Sequence, residues 1–179
     1  MTSANGSLAA VTGRDSGEVQ AAFVTIANEL LAKNLRVVGV IGEALALPHG
    51  ICTAGFLRDI ASDAKFKIYL QNAPRDTSCH LDENGVNAAC RHLLPQIPSC
   101  DLVIVSKFGK LEASGAGLAP AFEAAVKACK PVLTSVSERH WAAWRAFAPG
   151  AANLGGDAPA IQSWLEKLRP SVCDAPKAN

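Results

Sequence analysis

Short, continuous apolar runs alternate along this chain with segments of helical periodicity. One parallel sheet covered by helices on both faces satisfies that pattern; an all-helical or all-strand fold does not. Leu8 to Thr12 is the first run and meets Gly13. From Gly17 apolar residues recur at helical spacing, with Val19, Phe23, Ile26 and Leu30, joined by Ala22, on one face of a helix ending near Asn34. Arg36 to Ile41 is β-branched and bounded by polar residues, which predicts a buried strand. Strand, helix, strand makes parallel pairing through a right-handed crossover the default. Thr53 to Asp59 and Phe66 to Leu70 alternate in polarity around Ala61 to Lys65, predicting a hairpin, the antiparallel part, at one side of the sheet. Asp82 is set to cap a helix with an apolar stripe from Val86 to Ile97, stopped by Pro98. Asp101 to Ser106 and Pro131 to Val136 read as buried strands, and helices are expected at Pro120 to Cys129, 138–147 and 158–168. The expected fold is a three-layer α/β sandwich, a mostly parallel sheet with a β-hairpin insertion.

The 179 residues suit one domain, residues 1–170, followed by a flexible tail from Ser171 to Asn179. Folding a chain of this size hides roughly 70% of the surface its unfolded form exposes, so neither metal nor disulfide is needed as a staple. Seventeen Lys and Arg against sixteen Asp and Glu leave a net charge of +1, which argues against bulk-charge binding to nucleic acid or an anionic membrane. Apolar stretches fall far short of the roughly 18 residues a bilayer span needs, and no basic leader precedes an apolar run, so the chain reads as cytoplasmic. The six cysteines are irregularly spaced and imply no disulfide scaffold; Cys52, Cys90, Cys100 and Cys129 read as small core residues.

Ligands of such sheets sit beyond the C-terminal strand ends, which places the candidates at Gly13 to Gly17, Ser106 to Glu112 and Val136 to His140. Gly13-Arg14-Asp15-Ser16-Gly17, between a strand and a helix, stands where a phosphate-binding loop lies. A Walker loop needs G-x-x-x-x-G-K-[ST]: glycine amides around the phosphates, a lysine on the terminal ones and a hydroxyl on Mg²⁺. Counted from Gly13, the last three positions are Glu18, Val19 and Gln20. The helix N-terminus still offers amides and a positive dipole beside Arg14 to a smaller oxyanion. Lys107 and Lys110, beyond a central strand, add positive charge, with Lys110 and Glu112 read as a loop ion pair. Arg75, Ser78, Cys79 and His80 form a polar loop before the helix capped by Asp82; Arg75 suits bidentate recognition of a tetrahedral oxyanion. Adjacent Cys79 and His80 do not make a zinc pattern. His49, His92 and His140 read as solvated histidines, and Trp141 and Trp144 as core cover. Ser135 and Ser137 flank a strand end without an identified activator.

Val37-Val38-Gly39-Val40-Ile41, Gly55 to Ile60, Asp101 to Val105 running into Phe108 to Glu112, and Lys130 to Val136 resemble, in order and spacing, the small P-loop nucleoside-triphosphatases. Lys107 to Glu112 and Ser78 to Asp82 are similar to the signature of an uncharacterised bacterial branch of that fold, often encoded beside molybdate-transport genes. The resemblance covers about Leu8 to Trp144 and implies the fold and the site location. Where the active enzymes carry an Asp-Glu pair after the Walker B strand, this chain has Ser106 and Lys107. Together with Val19, that removes the parts that hold Mg²⁺, orient water and meet the terminal phosphate, so the residues argue against ATPase activity.

The sequence thus predicts an anion-binding protein on a P-loop-derived scaffold, its ligand a nucleotide or an oxyanion such as molybdate or tungstate. The molybdate link to molybdenum metabolism comes only from the resemblance. The alternatives are a slow nucleoside-triphosphate phosphohydrolase and a partner-binding regulator with a vestigial pocket. No structural metal, nucleic acid or membrane partner is expected, and a homo-oligomer is compatible with the composition.

Overall fold

A computed structural model describes residues 7–13, 15–47, 50–70, 81–155 and 158–168. Among the described residues, seven strands form one sheet: β1 (Leu8–Val11), β2 (Val37–Leu47), β3 (Gly50–Asp59), β4 (Lys65–Lys67), β5 (Leu102–Phe108), β6 (Val132–Val136) and β7 (Ala152–Leu154). Their order is β4-β3-β2-β5-β6-β1-β7. Pairings from β2 through β5, β6 and β1 to β7 are parallel, and β2-β3 and β3-β4 are antiparallel. The three-layer α/β sandwich with an antiparallel flank is therefore present.

Helices α1 (Ser16–Ala32), α2 (Glu83–Leu93), α3 (Lys110–Ala113), α4 (Ala119–Lys127), α5 (Trp141–Phe147) and α6 (Ala158–Lys167) cover the sheet. Strand side chains alternate between faces. Ala9, Val11, Ile104 and Leu133 pack beneath Val19, Phe23 and Ile26 of α1 and Ile161 and Trp164 of α6. Ala10, Val40, Val105 and Val132 pack beneath α2, α4 and α5, where Phe108, Phe122, Trp144 and Phe147 meet ring to ring. Ring pairs of this kind add about 0.5–1.5 kcal/mol each beyond their burial.

Local chemistry sets the boundaries. Asp15 caps α1, and Asn34 ends the turn that follows it with a φ of 61°, a conformation asparagine tolerates better than most residues. Asp82 caps α2 by accepting from the Asn84 amide at 3.0 Å, as the sequence predicts. The expected continuation of α2 to Ile97 is instead a 3-10 turn over Leu94–Ser99, because Pro95 and Pro98 lack the amides an α-helix would use.

Two expectations are corrected and one strand is added. The β1-α1-β2 unit does not place its strands side by side: β5 and β6 lie between them. The β3-β4 hairpin forms, pairing Phe56, Leu57 and Arg58 with Lys67, Phe66 and Lys65, but β2 itself runs on to Leu47 and turns into β3. That stretch, Gly42-Glu43-Ala44-Leu45-Ala46-Leu47, is rich in helix formers, so pairing with β3 overrides its local preference. β7 has only three residues and no periodic signal; its pairing with β1 alone identifies it.

Candidate functional site

The chain leaves β1 into α1 on one face of the sheet and leaves the adjacent β6 towards α5 on the other. Such a reversal opens a crevice between neighbouring strand ends. Here it is a cleft of about 520 Å³. Its walls come from the β1-α1 junction (Val11, Thr12, Gly13, Ser16, Val19), from Lys107 of β5, and from residues 135–139 after β6.

Each wall is fixed by its own hydrogen bonds. Thr12 donates its amide to the Leu154 carbonyl at 3.2 Å and its hydroxyl to Asn153 Oδ1 at 2.8 Å, tying the junction to β7. Gly13 turns the chain with a φ of +75°. Asp15 Oδ1 accepts from the Gly17 amide at 2.8 Å and the Glu18 amide at 3.4 Å, so the chain's own carboxylate takes up helix amides that the sequence offers to an oxyanion. Ser135 donates to the Ser106 carbonyl at 2.8 Å.

Beneath the cleft lies a neutral polar knot. Gln20, buried on α1, donates from Nε2 to the Ser106 carbonyl at 3.0 Å; its Oε1 accepts from the Gly42 amide at 2.7 Å and the Ser106 hydroxyl at 3.1 Å. Gln20 and Ser106 occupy the positions where a Walker protein would place its Mg²⁺-holding hydroxyl and carboxylate. In this chain an amide and a hydroxyl satisfy each other there, and apolar Val19 lines the cleft where the phosphate-binding lysine would stand. Nothing in the local sequence pairs positions 20 and 106; only the sheet brings them together.

Of the predicted site residues, Gly13, Ser16 and Lys107 line the cleft. Asp15 and Gly17 form the cap beside it, and exposed Lys110 stands on α3 away from the lining. Arg14, Arg75, Ser78, Cys79 and His80, like His49, lie outside the described residues. The structure adds Arg139, Glu138, Ser135 and Ser137 to the lining. The position of 136–140 beyond a strand end is legible in the sequence, whereas the aim of Arg139 is not.

Glu112 is not the partner of Lys110. Its buried carboxylate accepts from the Gly109 amide at 2.9 Å and the Leu118 amide at 3.0 Å, folding the loop beyond β5 around itself. A Cβ on Gly117 would come within 2.6 Å of Glu112 Oε1, so only glycine leaves that carboxylate room. Glu112→Gln turns an NH₂ group towards one of the two amides. It is expected to cost about 2 kcal/mol, read as a lower urea midpoint at unchanged slope. A loss below about 0.5 kcal/mol would show that the loop holds without it.

His92 is not simply solvated: its Nε2 lies 3.1 Å from Ser62 Oγ and its ring 5.3 Å from that of Phe66. Cys90 and Cys100 are buried free thiols whose pKa values burial raises, that of Cys100 to about 11, which leaves them unreactive at neutral pH. Cys129 is disulfide-bonded and so departs from its reading as a core thiol. Among the described residues no three His, Cys, Asp or Glu side chains come together to hold a metal ion. No described helix is long and apolar enough to cross a membrane.

Fold and cleft define a mostly parallel α/β protein with a crevice at its topological switch point, lined by Val19 and Lys107 and adjoined by the Gln20–Ser106 pair. Residues 8–164 match the family described as Protein of unknown function (DUF2478), and the chain belongs to that family. It is also 27% identical over 160 residues to the Molybdenum import ATP-binding protein ModC 2 of Bradyrhizobium diazoefficiens. That alignment covers 88% of this chain but only 18% of the relative, so the chain spans less than a fifth of that protein's length. No solved structure gives a significant match.

Proposed function

We propose that this protein binds a small anion, an oxyanion such as molybdate or the phosphate of a nucleotide, in the cleft between β1 and β6, and does not hydrolyse it. The observation that carries the reading is the pairing of two features. Lys107 and Arg139 bring positive charge to a cleft also lined by the hydroxyl-bearing Thr12, Ser16, Ser135 and Ser137. Directly below, Gln20 and Ser106 replace the groups that phosphoryl transfer needs. Glu138 is the one carboxylate among the cleft-lining residues, so the described lining carries a net positive charge. The helix N-terminus contributes less than its sequence promises, since Asp15 already satisfies the Gly17 and Glu18 amides.

Molybdenum enters through the similarity to part of a molybdenum import ATP-binding protein. On this reading the chain is related to a segment of such a protein, less than a fifth of its length. A link to molybdenum metabolism makes molybdate or tungstate the first ligands to try.

Thermal unfolding with molybdate, tungstate, sulfate, phosphate, ADP, ATP and GTP, each with and without Mg²⁺, tests the proposal. A bound ligand at 100 times its dissociation constant adds about 2.7 kcal/mol, equivalent to a Tm rise of about 5–10 °C for a chain of this size. The expected result is a rise with an oxyanion, indifferent to Mg²⁺ and absent from the Lys107→Met/Arg139→Met double variant. A Mg²⁺-dependent rise with ATP accompanied by release of phosphate would establish a phosphohydrolase instead. A flat panel would overturn the cleft as a small-anion site.

A further inference from the structure

We propose that anion binding in this cleft is proton-linked through His140 and Ser137: the bound anion draws a proton onto His140, and the protonated ring frees the Ser137 hydroxyl to donate to the anion. The inference rests on the anion-binding reading above and adds its regulation.

The geometry is local and specific. Ser137, at the end of β6, lines the cleft, and its Oγ lies 3.0 Å from Nδ1 of His140. His140 stands half-buried at the junction of the 3-10 turn Glu138–His140 with α5. The charged groups that act on it come from three elements: Lys107 from β5, Arg139 from its own turn, and Glu112 from α3. The α1 wall contributes Ser16 and Val19, neither of which titrates in this range. Lys107 and Arg139 are the same two cations that give the cleft its charge.

With the proton of the neutral ring on Nε2, His140 accepts the Ser137 hydroxyl proton at Nδ1, so that proton is not available to a ligand. An imidazolium reverses the bond: Nδ1–H donates to Ser137 Oγ, and the hydroxyl proton turns towards the cleft. Burial first, then Lys107 and Arg139, holds the His140 pKa below its ordinary value, with Glu112 opposing. An anion between the two cations cancels the field that disfavours the imidazolium. By linkage, whatever the anion does to the proton affinity of His140, the proton does to the anion affinity of the cleft.

The sign follows for stability as well. With the folded pKa below the unfolded value of about 6.5, the folded protein binds fewer protons in that window. The contribution of His140 is full above pH about 6.5 and is lost as pH falls through the folded pKa. An anion in the cleft offsets that loss.

Sulfate is the probe, because it carries two charges at every pH from 5 to 8 and adds no titration of its own. Isothermal titration of wild type and His140→Gln with sulfate at pH 5.5 and 7.5, in two buffers of different ionisation enthalpy, reads both affinity and proton uptake. Wild type is expected to bind about three- to fivefold tighter at the lower pH and to take up a fraction of a proton. His140→Gln should bind with neither feature. In the ligand-free protein, NMR titration of the His140 ring should show its pKa rising in Lys107→Met. Equal pH dependence in wild type and His140→Gln, with sulfate bound to both, would overturn this inference and leave the anion site standing. No sulfate binding at either pH, in a protein that also fails to bind molybdate, would overturn the anion reading itself.

Discussion

Alanine at position 39 is expected to cost the fold more than about 4 kcal/mol, enough to leave little folded protein in a domain of ordinary stability. Gly39, the third residue of β2, has a φ of +142°, and a Cβ there would stand 1.9 Å from the carbonyl oxygen of Ile104 on β5. The obstacle is backbone, so no rotamer change relieves it. β2 joins β5 over only four residue pairs, Val37 to Val40, and that joint attaches the whole antiparallel flank to the parallel sheet. The carbonyl of Gly39 also receives the Ile60 amide at 2.9 Å, tying β3 to the same point. Gly13→Ala is the informative control. Gly13 shares a positive φ but has nothing within 4 Å of its missing Cβ, so it isolates conformational strain, about 1 kcal/mol. Chemical denaturation of both variants compares the two costs. Equal losses would mean that strain, and not collision with β5, explains the glycine.

Asp59→Ala is expected to lose about 2 to 4 kcal/mol and to lower Tm by about 5 to 15 °C. Asp59 is completely buried at the end of β3. Its Oδ1 accepts from the Ala61 amide at 3.2 Å and from the amide and hydroxyl of Ser62, both at 2.8 Å. Its Oδ2 accepts from Gln96 Nε2 at 2.9 Å, and His92 Nε2 lies 3.8 Å from Oδ1. One carboxylate thus closes the β3-β4 turn and clamps it to the end of α2 and the turn after it. Removing it leaves several part-buried donors without their shared acceptor at once, which costs more than the bonds were worth in net terms. Asp59→Asn keeps the shape but sets an amide against donors, and should fall between the variant and wild type. A Tm within about 2 °C of wild type for Asp59→Ala would show that the backbone turn alone holds this corner.

The exposed network nearby makes a useful contrast. Arg58 bridges Glu43 at 2.6 Å and Asp63 at 2.8 Å, and Lys65 reaches Glu43 at 2.7 Å. Glu43 is held below the usual carboxylate range chiefly by Lys65, with burial opposing and Arg58 assisting. Part-exposed pairs of this kind each contribute about 1 kcal/mol or less. The buried Asp59, not this more numerous set of ions, fixes the flank.

Much of the site was legible in one dimension. Gly13 to Gly17 falls between strand and helix, and the loops after β5 and β6 fall beyond strand ends, so the location of the cleft follows from the rule for α/β sheets. The absence of the Walker lysine and acidic pair was visible residue by residue. The role of Glu112 is not legible in one dimension, because an i, i+2 Lys-Glu pair has the pattern of a surface ion pair, whereas the folded loop wraps its amides around the carboxylate. The candidate segment Val136 to His140 contains Arg139, but its direction depends on how the 3-10 turn leaves β6.

The sequence by itself determined the class of fold, the identity of most helices and central strands, and which residues stand at 18–20 and 106–107. These depend on local quantities: apolar periodicity, capping residues, and which side chain occupies which position of a short motif. Only the tertiary structure decided that β5 and β6 separate β1 from β2, that β7 exists, and that Gln20 meets Ser106. Those depend on pairings between residues far apart in the chain, where many partners satisfy the same local pattern and packing of the two faces selects one.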